Sequence, residues 1–364
     1  MKSNESISRR EFLGDAALVA AGLAASSTQV GRAATPPKIL NFNANMEYRR
    51  LGKTGLMISC ICLGGHWKRL DATIPGLFKK GGGWMEVTDE CKAAFDQNRS
   101  EIVSRCIDAG INYVDACAGH EIMAYSRALK GRREKMYLGF SWYEKESRFP
   151  EWRTAKKLLQ GIEEGMRDAG LDYVDLWRIS ALTEGSQHSA NEVEEMISAL
   201  ATAKKQGKVR FTGVSSHDRD WLKIMVEKYP EQIQVILTPY TANSKVLPTD
   251  SLFDAVKQCD VGVLGIKPFA SNSLFKGDST LASPDAEEDS RRARLAIRYI
   301  LANPALTAPM PGLINAGQVD NVVKAVQERR QLDQSERTEL DKANAETWAK
   351  LPADYQWLKK WEYV

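Results

Sequence analysis

The stretch GINYVDACAGHE, residues 110–121, contains the unit from which this chain is built. Apolar residues alternate up to Asp115, which is the pattern of a buried strand, and a helical pattern follows after a break at Gly119. The same order recurs eight times. Strands are predicted at about residues 58–64, 112–117, 136–142, 173–180, 209–216, 234–241, 262–269 and 306–312. Helices are predicted at about residues 99–109, 121–130, 152–168, 191–206, 218–228, 251–259, 286–302 and 316–329. Eight units in 364 residues predict an α/β protein with a single closed (β/α)8 TIM barrel.

Three further segments add to the barrel. Residues 46–59, MEYRRLGKTGLMIS, predict a β-hairpin across the bottom of the barrel, with Gly55 in its turn. Residues 65–98 form a connection long enough to be a lid or a binding loop. Residues 333–364 predict a polar helix followed by an aromatic segment, YQWLKKWEY, that packs on the barrel surface.

The amino-terminal residues have the composition of a targeting segment. SRREFL (8–13) precedes the apolar run AALVAAGLAA (16–25), and GRA (31–33) supplies small residues for cleavage. We therefore expect a twin-arginine signal peptide at residues 1–35, recognised by the twin-arginine export machinery, and a periplasmic barrel from residue 36 to 364. The run is shorter than the ~20 residues that span a bilayer, so no stable membrane span is expected. A surface helix is the alternative.

Charge and cysteine content exclude several classes of protein. The net charge is only +3 and no basic patch stands out, so nucleic acid is not an expected partner. The six cysteines form no CxxC pair, which argues against a zinc or iron-sulfur framework. Cys60 and Cys62 lie two apart on a predicted strand and face the same way. We expect the cysteines to behave as buried, small apolar residues.

Polar residues collect just after the predicted strands. All four histidines, His66, His120, His188 and His217, follow strand ends. Asp115 closes the second strand, and serines close the third and fourth. Because barrel enzymes place their chemistry at the carboxyl ends of the strands, these side chains predict a site there.

Five motifs connect the chain to a known family. YRRLGKTGLMISCICLGG, GINYVDACAGH, LDYVDLWRIS, GKVRFTGVSS and PMPGLINAGQVDN stand in the order and spacing of the aldo-keto reductases. The resemblance covers about residues 46–330. It implies that NADPH lies across the top of the barrel and gives hydride to a carbonyl. It also implies an Asp, Tyr, Lys and His set, in which the tyrosine donates the proton and the lysine lowers its pKa.

The catalytic positions of that family carry mostly different residues here. The aspartate corresponds to Asp115, and the tyrosine position, five residues later, is His120. The lysine position falls on Ser141 and the histidine position on Ser180. The resemblance therefore places Asp115 and His120 as the catalytic pair.

The cofactor positions are partly kept. Ser215 matches the serine that touches the nicotinamide amide, Lys267 offers a cation to the phosphates, and Gly312 keeps the phosphate-side turn. Gln318 and Asn321 are placed to meet the adenosine end of NADP(H) or NAD(H). Four positions depart from the family pattern, namely Ser216 for asparagine, Leu237 for glutamine, Ile266 for a stacking aromatic and Ile314 for a residue that is often basic.

Three functions follow as hypotheses. In the first, Asp115 orients and charges His120, which is the acid or base for a carbonyl or hydroxyl substrate, sugar-like in the broad sense. In the second, His66, His120, His217 and Asp115 hold a divalent metal ion or do acid-base chemistry without hydride transfer. In the third, the barrel is inactive and binds a sugar-like ligand between tryptophans such as Trp67, Trp84 and Trp142. A purely structural role for Asp115, as partner of Arg178, is a further alternative.

Overall fold

Parallel strands form the centre of the molecule. A computed structural model describes residues 38–82, 85–244 and 251–361. It begins with an antiparallel hairpin of β1 (Tyr48–Arg50) and β2 (Met57–Ser59). Seven strands then form one parallel sheet in chain order: β3 (Tyr113–Ala116), β4 (Tyr137–Phe140), β5 (Val174–Ser180), β6 (Val209–Ser215), β7 (Val235–Pro239), β8 (Gly262–Ile266) and β9 (Ala308–Pro309).

The eighth position of the barrel is occupied by residues 62–64. Leu63 bridges to Val114 of β3, and Gly64 bridges to Gly312 just beyond β9, both in parallel. The Leu63 and Gly64 amides donate to the carbonyls of Tyr113 and Pro311 at 2.9 Å each. The sheet therefore closes and the predicted (β/α)8 barrel is confirmed. The predicted strand at 58–64 is split, because its first residues belong to the hairpin.

Helices cover the outside of the barrel. The eight that follow the strands or their loops are α1 (Leu70–Thr73), α2 (Lys92–Asp108), α3 (Gly119–Ala128), α4 (Ala155–Ala169), α5 (Ala190–Lys205), α6 (Arg219–Lys228), α7 (Leu252–Gln258) and α8 (Ala286–Leu301). The last two are α9 (Ala316–Gln327) and α10 (Gln334–Lys350). Helix α2 begins at Lys92 rather than near residue 99, because Phe95 already packs on Trp67 in its first turn.

The apolar core has two layers. Inside the barrel, side chains such as Leu176, Leu237 and Leu264 meet without exposure to solvent. A larger layer fills the space between the sheet and the helices and includes Trp177 and Phe253. Since each fully buried Leu or Phe contributes roughly 1.5–3 kcal/mol relative to its exposed state, these layers hold the strand ends in fixed positions.

The hairpin covers the bottom of the barrel, as predicted. Its turn residue Gly55 has a φ of 69°, which glycine adopts without strain. Leu51 is fully buried, and the Lys53 amide donates to the carbonyl of Asp260, which precedes β8, at 2.6 Å. The site is thus left to the opposite, carboxyl ends of the strands.

The tail and the cysteines lie within the residues that the structure describes. The tail contains the expected polar helix, α10, followed by a 3-10 helix at Ala353–Trp361. All six cysteines are free, and Cys60, Cys62 and Cys106 are buried. In the part of the chain that the structure describes, no helix is long and apolar enough to cross a membrane. The signal peptide predicted at 1–35 and Trp84 lie outside the described residues.

Candidate functional site

A cavity of about 350 Å³ opens at the carboxyl ends of the barrel strands. Five cations line it, namely Lys68, Arg69, Arg148, Arg178 and Lys267. Two carboxylates, Asp115 and Glu121, also line it, and each is already paired with a basic side chain. An excess of positive charge in a concave site favours an anionic ligand.

The floor of the cavity is a buried ion pair between β3 and β5. The Arg178 guanidinium donates two N–H groups to Oδ1 of Asp115, and its Nε lies 3.2 Å from that oxygen. The Tyr113 hydroxyl donates to Oδ2 at 3.2 Å. Burial alone would lower the pKa of Arg178, but the Asp115 carboxylate raises it above its ordinary value. The ion pair between Asp115 and Arg178 that was considered as an alternative is therefore formed. It holds the Arg178 guanidinium in a fixed position at the floor of the cavity.

The two serines at the lysine and histidine positions of the family are tied to a buried carboxyl group. The Oγ atoms of Ser141 and Ser180 are 2.7 Å apart. Glu146 accepts hydrogen bonds from Ser141 Oγ at 2.5 Å, from Ser180 N at 2.6 Å and from Trp177 Nε1 at 2.9 Å. Burial raises the pKa of Glu146. This residue holds the ends of β4 and β5 together and was not recognised from the sequence.

A second carboxylate, Glu121, holds His66 against the cavity. It lies in the first turn of α3 and accepts from the amides of Cys117 and Ala118 at 3.0 and 3.3 Å. It also accepts from the amide of His66 and, at 2.8 Å, from His66 Nδ1. His66 itself has a φ of 65°, a left-handed conformation that is uncommon outside glycine. A Cβ at Gly65 would collide with this carboxylate, so the close approach requires glycine.

The ionisation of Glu121 follows from these contacts. Burial alone would raise its pKa, but His66, His120 and the amide donors together lower the pKa to about 2. An ionised carboxylate only accepts hydrogen bonds, so Nδ1 of His66 carries the proton in this contact. A carboxylate–imidazole pair therefore exists at the barrel top, but it is Glu121 with His66.

His120 does not pair with Asp115 as expected. Among the described residues, the hydrogen bonds to the Asp115 carboxylate come from Arg178 and Tyr113. Burial is the main effect on His120 and lowers its pKa, which is opposite to the predicted direction. The Glu121 carboxylate raises the pKa of His120, but burial outweighs this effect and the charge of His66 also lowers the pKa. A catalytic role for His120 stays a prediction.

The carboxyl-terminal tail reaches the same cavity. Trp357 stacks on His217, with ring centroids 4.2 Å apart, and Tyr355 lines the cavity. The ammonium groups of Lys68 and Lys267 lie 5.3 and 5.5 Å from the centre of the Tyr355 ring. Burial would raise the pKa of Tyr355, yet the charge of Lys267, a hydrogen bond with Ser271 and the charge of Lys68 together lower it. The predicted packing of the tail on the barrel is confirmed, and the surface it covers is the barrel top.

The predicted cofactor residues fall around two adjoining cavities. Ser215, Lys267, Gly312 and Gln318 line the cavity described above. Gly312 and Gln318 also line a second cavity of about 140 Å³, together with Asn321. The five residues predicted to bind the cofactor therefore line one continuous region. Asn321 also donates a hydrogen bond to the Ser290 carbonyl at 2.9 Å.

The positions that depart from the family pattern have separate roles. Ile266 and Ile314 line the first cavity, while Leu237 belongs to the core inside the barrel. Ser216 Oγ donates to the Leu182 carbonyl at 2.9 Å and so fixes a loop.

Three of the cations that line the cavity were not recognised from the sequence, namely Lys68, Arg69 and Arg148, and the first two come from the long loop. Arg69 crosses the barrel top and donates to the Gly277 carbonyl at 2.6 Å and to Ser279 Oγ at 2.8 Å. It also donates to the Asn272 carbonyl at 3.1 Å. Burial lowers its pKa. These bonds join the loop after residue 64 to the loop after β8, a contact over more than 200 positions that no local pattern predicts.

Other expected site residues make packing or loop contacts. His188 Nε2 accepts from the Leu182 amide at 3.0 Å. Trp67 is buried, packs edge-on against Tyr125 and also lines the first cavity, and Trp142 packs against Gly165. Within the described ranges, no group of three or more His, Cys, Asp or Glu side chains is placed to hold a metal ion. His66, His120 and His217 are thus not assembled into the metal site considered above.

Comparison with known proteins establishes the family. Residues 76–345 match the aldo/keto reductase family, and the chain belongs to it. The chain is 28% identical over 203 residues to L-galactose dehydrogenase of Arabidopsis thaliana, a match that covers 51% of this chain and 62% of that protein. It is 26% identical over 332 residues to the oxidoreductase YrpG of Bacillus subtilis, covering 78% and 91% of the two chains. Among solved structures, an aldo/keto reductase from Klebsiella pneumoniae in complex with NADP and acetate superposes with a TM-score of 0.58 at 17% identity, covering 82% of this chain and 95% of the other.

Proposed function

We propose that the protein is an oxidoreductase that transfers hydride between a nicotinamide cofactor and a small carbonyl or hydroxyl compound of sugar-like polarity. The observation that carries this proposal is the pair of adjoining cavities. The first holds the cations that a pyrophosphate requires, and the second is smaller and lined by amides, hydroxyls, apolar groups and one carboxylic acid, Asp289. Gly312 and Gln318 belong to both, so one elongated ligand would touch both cavities.

The residues present fit a dinucleotide. Lys267 and Arg69 line the first cavity on the side of the loop after β8, where they would neutralise a pyrophosphate. Ser215 at the end of β6 would meet the nicotinamide end. When bound, the nicotinamide supplies or accepts the hydride.

The chain itself supplies the proton and the orientation of the substrate. Arg178, held by Asp115, would orient the substrate oxygen by its fixed positive charge, because an arginine keeps its proton at every physiological pH. His66 would exchange the proton. Glu121 fixes the ring through Nδ1 at 2.8 Å, so a proton exchanged with the substrate would pass through Nε2. Positioned acid–base catalysis of this kind contributes typically ~10²–10⁴-fold in rate.

Turnover assays with two histidine variants test these assignments. Purified protein is mixed with reduced nicotinamide and a panel of aldoses, ketoses and lactones, and oxidation of the nicotinamide is followed by absorbance. We expect His66→Ala to lower kcat by roughly 10²-fold or more with cofactor affinity unchanged. The matched His120→Ala variant tests the residue proposed from the family position. Loss of turnover in His120→Ala alone would transfer the role to His120.

A binding assay tests the cofactor site without a known substrate. Lys267→Met should weaken dinucleotide binding by about tenfold, or about 1.4 kcal/mol, because it removes one cation from the pyrophosphate side. Lys156→Met, on the exposed face of α4, is the control and should change nothing. If neither NADH nor NADPH binds to the wild-type protein, the redox proposal fails and the inactive binding barrel becomes the better account.

We also propose that the protein works outside the cytoplasm after twin-arginine export. The order of SRREFL, the apolar run and the small residues supports this. The test is fractionation of cells that express the full chain. Arg9→Lys combined with Arg10→Lys should leave the protein in the cytoplasm, and periplasmic recovery of that variant would contradict the proposal.

A further inference from the structure

Arg148 is a cation of the first cavity that the proposed dinucleotide does not need. Lys267 and Arg69 lie on the pyrophosphate side, and the charge of Arg178 is balanced by its own ion pair. Arg148 lines the same cavity. Among the described residues, its guanidinium has one hydrogen bond, to Thr183 Oγ1 at 3.4 Å, and no carboxylate within ion-pair distance. This cation is therefore left for another ligand.

The backbone around Arg148 is anchored to the barrel. Ser147 is buried, and its Oγ donates to the carbonyl of Ser180, at the end of β5, at 3.1 Å. The amide of Phe149 donates to the Glu146 carbonyl at 3.0 Å, which closes a tight turn. Arg148 itself is partly buried. The fold thus places this guanidinium at the cavity, unlike that of a solvated surface arginine.

Arg148 comes from the side of the barrel opposite the proposed pyrophosphate cations. Its loop follows β4, whereas Lys267 directly follows β8, and β4 and β8 are the third and seventh of the eight strand positions. Burial raises the pKa of Cys117, which follows β3, and the charges of Arg178 and Arg148 oppose this effect. Burial lowers the pKa of His217, and the charges of Lys267 and Arg148 lower it further, so the gap between these two cations suits a small molecule. Arg148 therefore faces the part of the cavity where the substrate is expected.

We infer that the substrate carries a carboxylate, as in a uronic or keto-aldonic acid, and that Arg148 binds it. A partly buried cation without a counter-ion costs desolvation, which a ligand of opposite charge offsets. A guanidinium donates two parallel N–H groups to one carboxylate, so one arginine suffices for one acid group. A phosphate monoester, with about −1.5 to −2 charges at neutral pH, would exceed this single cation. The inference deepens the proposed function and rests on it, since the carbonyl or hydroxyl group reacts beside His66 and Arg178 while the carboxylate is only held.

Binding of matched acid and amide probes measures this preference. The probes are D-glucuronate and D-galacturonate, each compared with its uncharged amide, which has nearly the same shape and lacks the charge. Calorimetry is carried out on the protein alone and on protein saturated with a dinucleotide. We expect the wild-type protein to bind at least one of the acids at least tenfold more tightly than its amide, a difference of about 1.4 kcal/mol.

Three variants assign the preference to Arg148. Arg148→Met should remove it and leave binding of the amide within twofold, because the substitution keeps the length of the side chain and deletes its charge. Arg148→Lys keeps the charge but loses the paired donors, so we expect an intermediate preference. Arg167→Met, at a 70% exposed position on α4, is the matched control and should behave as the wild type. Circular dichroism verifies that each variant is folded.

The outcomes separate the carboxylate site from the redox function. If the wild-type protein binds neither acid more tightly than its amide, the inference is overturned, and dinucleotide binding in the same protein leaves the redox function intact. A preference that persists in Arg148→Met, or that is lost in Lys267→Met instead, also overturns the inference, since the carboxylate would then bind elsewhere. A preference that depends on Arg148 in a protein that binds neither NADH nor NADPH would support the carboxylate site and overturn the redox function.

Discussion

Replacement of Glu121 by glutamine is the most direct test of the pair that holds His66. The pKa of Glu121 falls from its ordinary value of 4.5 to about 2 in the folded protein. This lowering of the pKa corresponds to roughly 3 kcal/mol of folding free energy at neutral pH. Because the folded pKa is the lower one, this stabilisation is complete above the unfolded value of 4.5 and is lost as the pH falls towards 2. We calculate that about 2 kcal/mol remains at pH ~3.5.

Urea denaturation of the wild type and Glu121→Gln at neutral and acid pH measures this difference. We expect the variant to be less stable by about 3 kcal/mol at neutral pH and by about 2 kcal/mol at pH ~3.5. Glu134→Gln removes an exposed carboxylate just beyond α3, and its effect should stay within about 0.5 kcal/mol. A loss of stability that is the same at both pH values would refute the reasoning, since it would show that packing rather than charge is responsible.

Three further predictions concern the floor of the cavity, the closure of the barrel and the wall of the cavity. Arg178→Met leaves the Asp115 carboxylate buried without its cation, and we expect urea denaturation to show a loss of about 3–5 kcal/mol; a loss below 1 kcal/mol would contradict the pairing. Gly64→Ala places a methyl group 2.8 Å from the Met310 carbonyl at the barrel closure, so circular dichroism should show a lower Tm, and an unchanged Tm would argue against that closure. Burial raises the pKa of Cys117, so iodoacetamide should label this thiol more slowly than a free cysteine at mildly alkaline pH, and mass spectrometry would show whether bound dinucleotide slows it further.

The barrel was predictable because its signals are local. Each strand is a short and largely apolar run, and this pattern located all eight strand positions of the barrel. The early start of α2 was missed because Phe95 is the one large apolar residue in its first turn, where periodicity needs several. The predicted (β/α)8 order then placed all four histidines correctly after strand ends.

The partners within the site were not predictable in the same way. His120 and Glu121 are neighbours in sequence, but consecutive helical residues point about 100° apart. The residue at which α3 begins decides whether His120 or Glu121 contacts the residues after strand one. Such boundaries are the feature that a sequence pattern defines least well. The contacts of Arg69 and Tyr355 join segments more than 80 positions apart, and no periodic pattern encodes such a contact.

The identity of the cation beside Asp115 decides what the site can do. In the family pattern, an amine beside the aspartate lowers the pKa of a phenol that donates the proton. Here the cation is Arg178 on β5, and the residues at the lysine and histidine positions are serines bonded to Glu146. A guanidinium does not give up its proton, so it supplies charge and orientation alone. The proposed function therefore assigns the proton transfer to His66, the imidazole that Glu121 holds on the cavity wall.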